Sequence, residues 1–170
     1  TTGRAVPDVA VTLVQPGYVR PGGNLTNSRP VLSDAQGRFV LRGIPAGTYK
    51  ITARRLGYVE SLYGALTPDG DGKAITLAEG GRFGDATVRL WKLGAIGGRV
   101  VDDAGDPIIG LQVRAFKRNL IAGRWKFGEY YSGQKYGART DDRGTYRISD
   151  VEPGEYIVTV PVTTAVAPAS

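Results

Sequence analysis

Ser33–Ala53 reads SDAQGRFVLRGIPAGTYKITA, and Thr140–Val160 reads TDDRGTYRISDVEPGEYIVTV. The two align at an offset of 107 without a gap. Asp34/Asp141, Gly37/Gly144, Gly47/Gly154, Tyr49/Tyr156 and Thr52/Thr159 are identical. Ser33/Thr140, Phe39/Tyr146, Leu41/Ile148, Ile44/Val151 and Ile51/Val158 keep their chemistry. A second echo lies upstream of each copy, GRAVPDVAVTL from Gly3 and GDPIIGLQVRA from Gly105. Internal repetition fixes an architecture before any single element is assigned. What repeats here is turn and core chemistry, which speaks for a fold and against a duplicated catalytic site.

Outward from the repeats, apolar and polar residues alternate with the period of half-buried strands. Val9, Val11 and Leu13 share one face, with Ala10 and Thr12 on the other. Phe39 and Leu41 alternate with Arg38, Val40 and Arg42; Tyr49, Ile51 and Ala53 with Lys50, Thr52 and Arg54; Ala86, Val88 and Leu90 with Asp85, Thr87 and Arg89. In the second copy Leu111, Val113 and Ala115 alternate with Gln112, Arg114 and Phe116, and Tyr146 and Ile148 with Arg147 and Ser149. Each such run predicts a strand. No stretch has a 3.6-residue period with caps, so almost no helix is expected. SDAQG and TDDRG place an Asp early, to accept downstream backbone amides, and a Gly late, to take positive φ. IPAGTY and VEPGEY lead a Tyr into the next strand, its ring for the core and its hydroxyl for a neighbouring loop.

The expected fold class is all-β, two tandem antiparallel β-sandwiches. Residues 1–93 form a first module that lacks an opening strand, residues 94–162 a second that lacks the counterparts of KAITL and DATVRLW, and residues 163–170 a tail or linker. The chain starts at Thr1 without Met and reads as a mature form or an excised piece of a longer protein. No run of 18 apolar residues is present, so no membrane-spanning helix is expected.

Composition narrows the chemistry. The sequence has no His and no Cys, so Ser-His catalysis, His–zinc sites, thiolate nucleophiles and disulfides are excluded. No Lys or carboxylate base is paired with a Ser or Thr in a recognisable spacing, and no catalytic residue, metal or cofactor is expected. A formal charge of +6 suits either a soluble basic surface or an anionic partner.

The string G-x-V-x-D-x-x-G-x-P-I-x-G-x-x-V, then T-D-x-x-G-x-Y-x-I, then P-G-x-Y, resembles the carboxypeptidase regulatory-like domain, a transthyretin-like β-sandwich also grouped with carbohydrate-binding-like folds. In the second copy the resemblance rests on Gly98, Val100, Asp102, Gly105, Pro107, Gly110, Val113, Thr140, Asp141, Gly144, Tyr146, Pro153, Gly154 and Tyr156. In the first it rests on Gly3, Pro7, Val11, Asp34, Gly37, Phe39, Pro45, Gly47, Tyr49, Gly57 and Tyr58, with Asp8 standing where the second copy has Gly110. The resemblance implies a non-catalytic accessory module of a secreted, periplasmic or outer-membrane-associated bacterial protein. It does not assign a ligand.

The segment Arg118–Gly137 is the candidate site. Arg124, Trp125, Lys126, Phe127, Tyr130, Tyr131 and Tyr136 place aromatic rings among cations, a mixture that suits protein contact, sugar stacking or, least of all, nucleic acid. The alternative is a long hairpin whose aromatics pack on their own sandwich. The expected partner is a protein or a domain of the parent chain, with glycan second and nucleic acid not expected. Asp69 and Asp71 in TPDGDGK fall short of a calcium loop's oxygen ligands. Asp141 and Asp142 are neighbours on a turn and cannot flank a substrate as a glycosidase pair does. Lys50 is weighed for an intramolecular isopeptide bond and set aside, because no Asn lies in a plausible terminal strand.

Overall fold

A computed structural model describes residues 3–16, 29–121, 123–128 and 136–161. The chain forms two compact units, Thr1–Lys92 and Leu93–Ser170. No helix occurs among the described residues, and none is long and apolar enough to cross a membrane. All strand pairings are antiparallel.

Unit 1 is built on one sheet. β1 (Ala10–Val14), β2 (Val31–Leu32), β3 (Gly47–Arg54) and β4 (Ser61–Leu62) lie in the order β2-β1-β3-β4, and β5 (Ala74–Leu77) also pairs with β3. The register of β1 on β3, with Val11 opposite Ala53 and Leu13 opposite Ile51, sends the apolar set to one face. Val9, Val11, Leu13, Tyr49, Ile51, Ala53 and Ile75 are buried there. Thr12 lies on the opposite side of β1 yet is also buried, and its hydroxyl is satisfied by that of Thr52 across the strands at 2.6 Å.

The opposing layer of unit 1 corrects two sequence expectations. Residues 38–42 and 85–91 were expected as strands. Neither forms a ladder with a described strand, although Trp91 accepts the Val59 amide at 2.9 Å. Their alternation nevertheless does what the pattern asks of it. Phe39, Leu41, Ala86, Val88 and Leu90 pack on the core, while Val40 and Arg42 stay exposed. Alternation fixes which side of an extended chain is apolar; it does not by itself supply a neighbour for the backbone.

Unit 2 has two laddered layers. β7 (Gln112–Ile121), β8 (Arg124–Gly128), β9 (Tyr136–Arg139) and β11 (Tyr156–Thr159) form one sheet, with β11 on one side of β7 and β8 and β9 paired along the other. β6 (Gly94–Arg99) and β10 (Thr145–Val151) form the second. Between the sheets lie Val113, Ala115, Ile148 and Val151, flanked by Ile96, Val100, Tyr136, Ala138, Tyr146 and Tyr156.

The repeat is one set of hydrogen bonds used twice. Asp34 Oδ1 accepts the amides of Gln36 and Arg38. Asp141 Oδ1 accepts those of Arg143 and Thr145. Gly37 and Gly144 close the two turns at φ 74° and 70°, where a side chain would be strained. The Tyr49 hydroxyl donates to the Pro45 carbonyl at 3.0 Å, and Tyr156 to Glu152 at 2.8 Å, each four residues back. Ser33 Oγ accepts the Val9 amide, as Thr140 Oγ1 accepts that of Leu111. Asp102 repeats the aspartate turn a third time, accepting from Ala104 and Asp106.

Candidate partner-binding surface

β7 buries Val113, Ala115 and Lys117, so the residues between them face outward. Lys117 lies at the end of the core, where its ammonium donates to Glu152 Oε2 at 3.0 Å. The outward row is Phe116, Arg118 and Leu120. Cross-strand register completes it: Ile157 lies opposite Phe116, Phe127 opposite Arg118 and Trp125 opposite Leu120. Directly opposed residues share a face, so these six side chains form one strip across the outer face of the sheet. It is open to solvent: Leu120 is 58% exposed, Trp125 61%, Phe127 50% and Ile157 43%.

The hairpin that carries the strip is tight. Ile121 pairs with Arg124, and Gly123 takes φ 75° at the turn, the left-handed conformation that short hairpins demand. Arg118 organises the strip. Its guanidinium lies 4.7 Å from the centroid of the Trp125 ring, and its Nη1 donates to Glu155 Oε2 at 2.6 Å. One cation therefore meets an aromatic face and a carboxylate together.

The structure divides the expected site residues. Trp125 and Phe127 come together on the strip. Arg124 and Lys126 are exposed, but they lie on the other side of β8, opposite Ile121 and Asn119, so the cation beside the indole is Arg118 instead. Tyr136 leaves the surface: it lies opposite Ala115, half-buried, with its ring edge-on to Tyr156 at 5.7 Å. Burial, and next the nearby Glu152 carboxylate, push the Tyr136 phenol above its ordinary value. Tyr130 and Tyr131 lie outside the described residues. Sequence reasoning missed Phe116, Leu120 and Ile157 as members of the strip. The signal available was the period-2 continuation of β7 through Phe116, Arg118 and Leu120.

Of the acidic candidates, Asp141 holds its turn, and the Asp71 backbone carbonyl, rather than its carboxylate, accepts the Lys50 ammonium at 2.9 Å. Among the described residues no three acidic, His or Cys side chains stand together as a metal site would require.

The family model of the carboxypeptidase regulatory-like domain matches the chain twice, over residues 1–89 and 95–166. The chain belongs to that family. A comparison with curated proteins finds no match. Among solved structures the chain is similar to the crystal structure of the minor pilin of the gram-positive pathogen Streptococcus agalactiae. The identity is 16%, over 95% of this chain and 73% of that one, with a TM-score of 0.39. A superposition of that quality transfers nothing about function.

Proposed function

We propose that the chain is a non-catalytic, extracytoplasmic binding and spacer module, part of a larger assembly, that docks a protein partner through the outer face of unit 2. The observation that carries this reading is the open strip of Leu120, Trp125, Phe127 and Ile157, with the half-buried Phe116 beside them and Arg118 at its centre. Contiguous exposed apolar surface of this kind marks interaction sites, and Trp and Arg dominate their energetics. Membership of a regulatory-like domain family supports an accessory role, and the absence of His and Cys from the sequence is consistent with it.

A carbohydrate-binding role for the same rings is the alternative. A sugar ring stacks on an open aromatic face, and the Arg118 guanidinium already lies over Trp125, which favours a protein partner. The test is binding to partners recovered from the native envelope, compared with a glycan array. Trp125→Ala and Phe127→Ala should each cost about 1–4 kcal/mol of partner binding, with folding stability changed by no more than about 0.5 kcal/mol. Wild-type partner lists from Trp125→Ala would remove the strip from the functional account. Array binding lost with Trp125→Ala would turn the reading to glycan.

A further inference from the structure

Arg118 is the charged member of the apolar strip, and its hydrogen-bonding capacity is only partly used. Its Nη1 donates to Glu155 Oε2 at 2.6 Å, and its guanidinium lies over the Trp125 ring. A guanidinium carries five N–H donors, and the Glu155 bond uses one. The Arg118 side chain is 36% exposed, so solvent reaches it while the strip is open. A partner that covers the strip removes that solvent. The remaining donors are then left unpaired, at the cost of a buried cation, unless the partner brings an acceptor of its own. Glu155 does not prevent this. Its side chain is 70% exposed, and an ion pair held from the rim is weak enough to exchange. The shape of the strip restricts the occupant further. From Phe116 to Leu120 it runs about 13 Å along β7, and from Ile157 to Phe127 it crosses three strands, about 10 Å. The backbone bonds of a sheet lie within the sheet, so its face offers a partner side chains only. An extended segment laid over that face would keep its own backbone groups unpaired. An α-helix arrives with its backbone bonds made internally, and two turns of it are about 11 Å long and about 10 Å wide.

We propose that the strip seats one amphipathic helix of a protein partner, with a carboxylate in the middle of its apolar stripe that replaces Glu155 on Arg118. The inference rests on the docking role of the strip proposed above and names the chemistry of what docks. Side chains three and four positions to either side of a helical residue share its face. With the carboxylate over Arg118, apolar residues at those positions fall on Phe116 and Ile157 at one end and on Leu120 and Trp125 at the other. The central charge follows from charge complementarity at a site that docking desolvates. A carboxylate there makes charge-assisted bonds to the unused donors. A neutral residue leaves some of them unmet, and a cation sets two like charges together away from water, which excludes basic helices.

The test uses the whole chain and a synthetic Ala/Gln-based helical peptide of about five turns, with Leu three and four positions to either side of one central Glu. Saturable one-to-one binding is expected below about 1 mM, with amide NMR shifts at residues 116–120, 124–127 and 155–157. Gln in place of the central Glu should weaken the peptide about tenfold or more, and Lys further still. Arg118→Met should make the Glu and Gln peptides bind equally. Arg147→Met, which removes an exposed cation from β10 in the other layer, should leave their ratio unchanged. Glu155→Gln, which removes the competing carboxylate, should tighten the Glu peptide about two- to fivefold. Proline beside the central Glu breaks the helix and should abolish binding. Circular dichroism confirms that each variant chain keeps its fold. The proposal is overturned by equal affinity of the Glu and Gln peptides for wild type, or by a preference that survives Arg118→Met. It is also overturned by a Glu155→Gln chain that binds the Glu peptide no better than wild type does, or by a proline peptide that binds as well. Native-partner binding that depends on Trp125 while no peptide binds would remove the helix and leave the docking surface standing. Native-partner binding that ignores Trp125→Ala would remove the surface itself.

Discussion

Unit 1 and unit 2 solve the same sandwich by opposite halves. Among the described residues unit 1 has the larger set of buried core side chains, seven from Val9 to Ile75, but an opposing layer without a ladder. Unit 2 has its second layer laddered through β6 and β10, and four buried core residues among those described. The contrast separates two things that a strand does. Burying every second side chain needs only an extended chain over a greasy floor. Satisfying the backbone needs a neighbour at the right spacing, and that depends on which other segment lies alongside.

Core truncations probe the contrast most strongly. Ile51→Ala in unit 1 and Ile148→Ala in unit 2 each remove a side chain that is 2% exposed, a change worth about 2–5 kcal/mol. We expect the loss to abolish cooperative folding of unit 2 and to leave unit 1 folded at a lower denaturant midpoint. Trp91 reports on unit 1 and Trp125 on unit 2, so fluorescence of single-Trp variants reads the two separately. Equal loss in both units would mean that core size does not distinguish them.

The two turn glycines sharpen the comparison. Gly37→Ala and Gly144→Ala impose the same positive-φ strain, about 1–3 kcal/mol. They differ in surroundings. A Cβ at Gly37 would stand 3.2 Å from Ala5 Cβ, whereas one at Gly144 would clash with the Val100 carbonyl oxygen and press on Pro107. Gly144→Ala should therefore cost a further 1–3 kcal/mol or so, as overpacking does. Equal midpoint shifts from urea titration would show that the chain beyond β6 yields without cost.

Tyr49→Phe and Tyr156→Phe should match each other. Each deletes one hydroxyl bond to a carbonyl four residues back, worth about 0.5–1.5 kcal/mol. A large difference between them would show that the motif is repeated in geometry but not in energy.

The smallest effects are in pH. The Tyr136 phenol is raised above 10.0 by burial and by Glu152, so the folded state holds its proton more tightly than the unfolded state. Its contribution to stability is complete below pH 10 and is lost as pH rises through the folded value. Phenolate absorbance, compared with a Tyr136→Phe variant, should show Tyr136 titrating later than free tyrosine. Asp34 shows the opposite sign in unit 1. The amide of Arg38, opposed by slight desolvation and aided by the Arg38 side chain and the Gln36 amide, holds its carboxyl below 3.8. Its support for the turn is present above that value and fades as pH falls through the folded one, which carboxyl NMR titration reads directly. A Tyr136 that titrates as a free phenol would mean that the Tyr136–Tyr156 contact does not hold in solution.

Much of the fold was legible because it rests on local chemistry. The Asp-to-Gly turns and the Tyr-to-carbonyl bonds are made between residues two to four apart, and the repeat exposed both. Trp125 and Phe127 were legible as candidates by type. Their companions were not. Arg118, Leu120, Phe116 and Ile157 join them only through the register of β7 with β8 and β11. Tyr136, of the same type and the same segment, was turned inward by its place opposite Ala115.

The sequence by itself determined two β units, their repeated turns, their core faces and the exclusion of His and Cys chemistry, since those follow from residue type and spacing within a few positions. Only the tertiary structure decided which extended segments became laddered strands and which cation reached Trp125. Those outcomes depend on which distant segment lies within the 5 Å or so that a sheet requires, and one-dimensional periodicity carries no information about that neighbour.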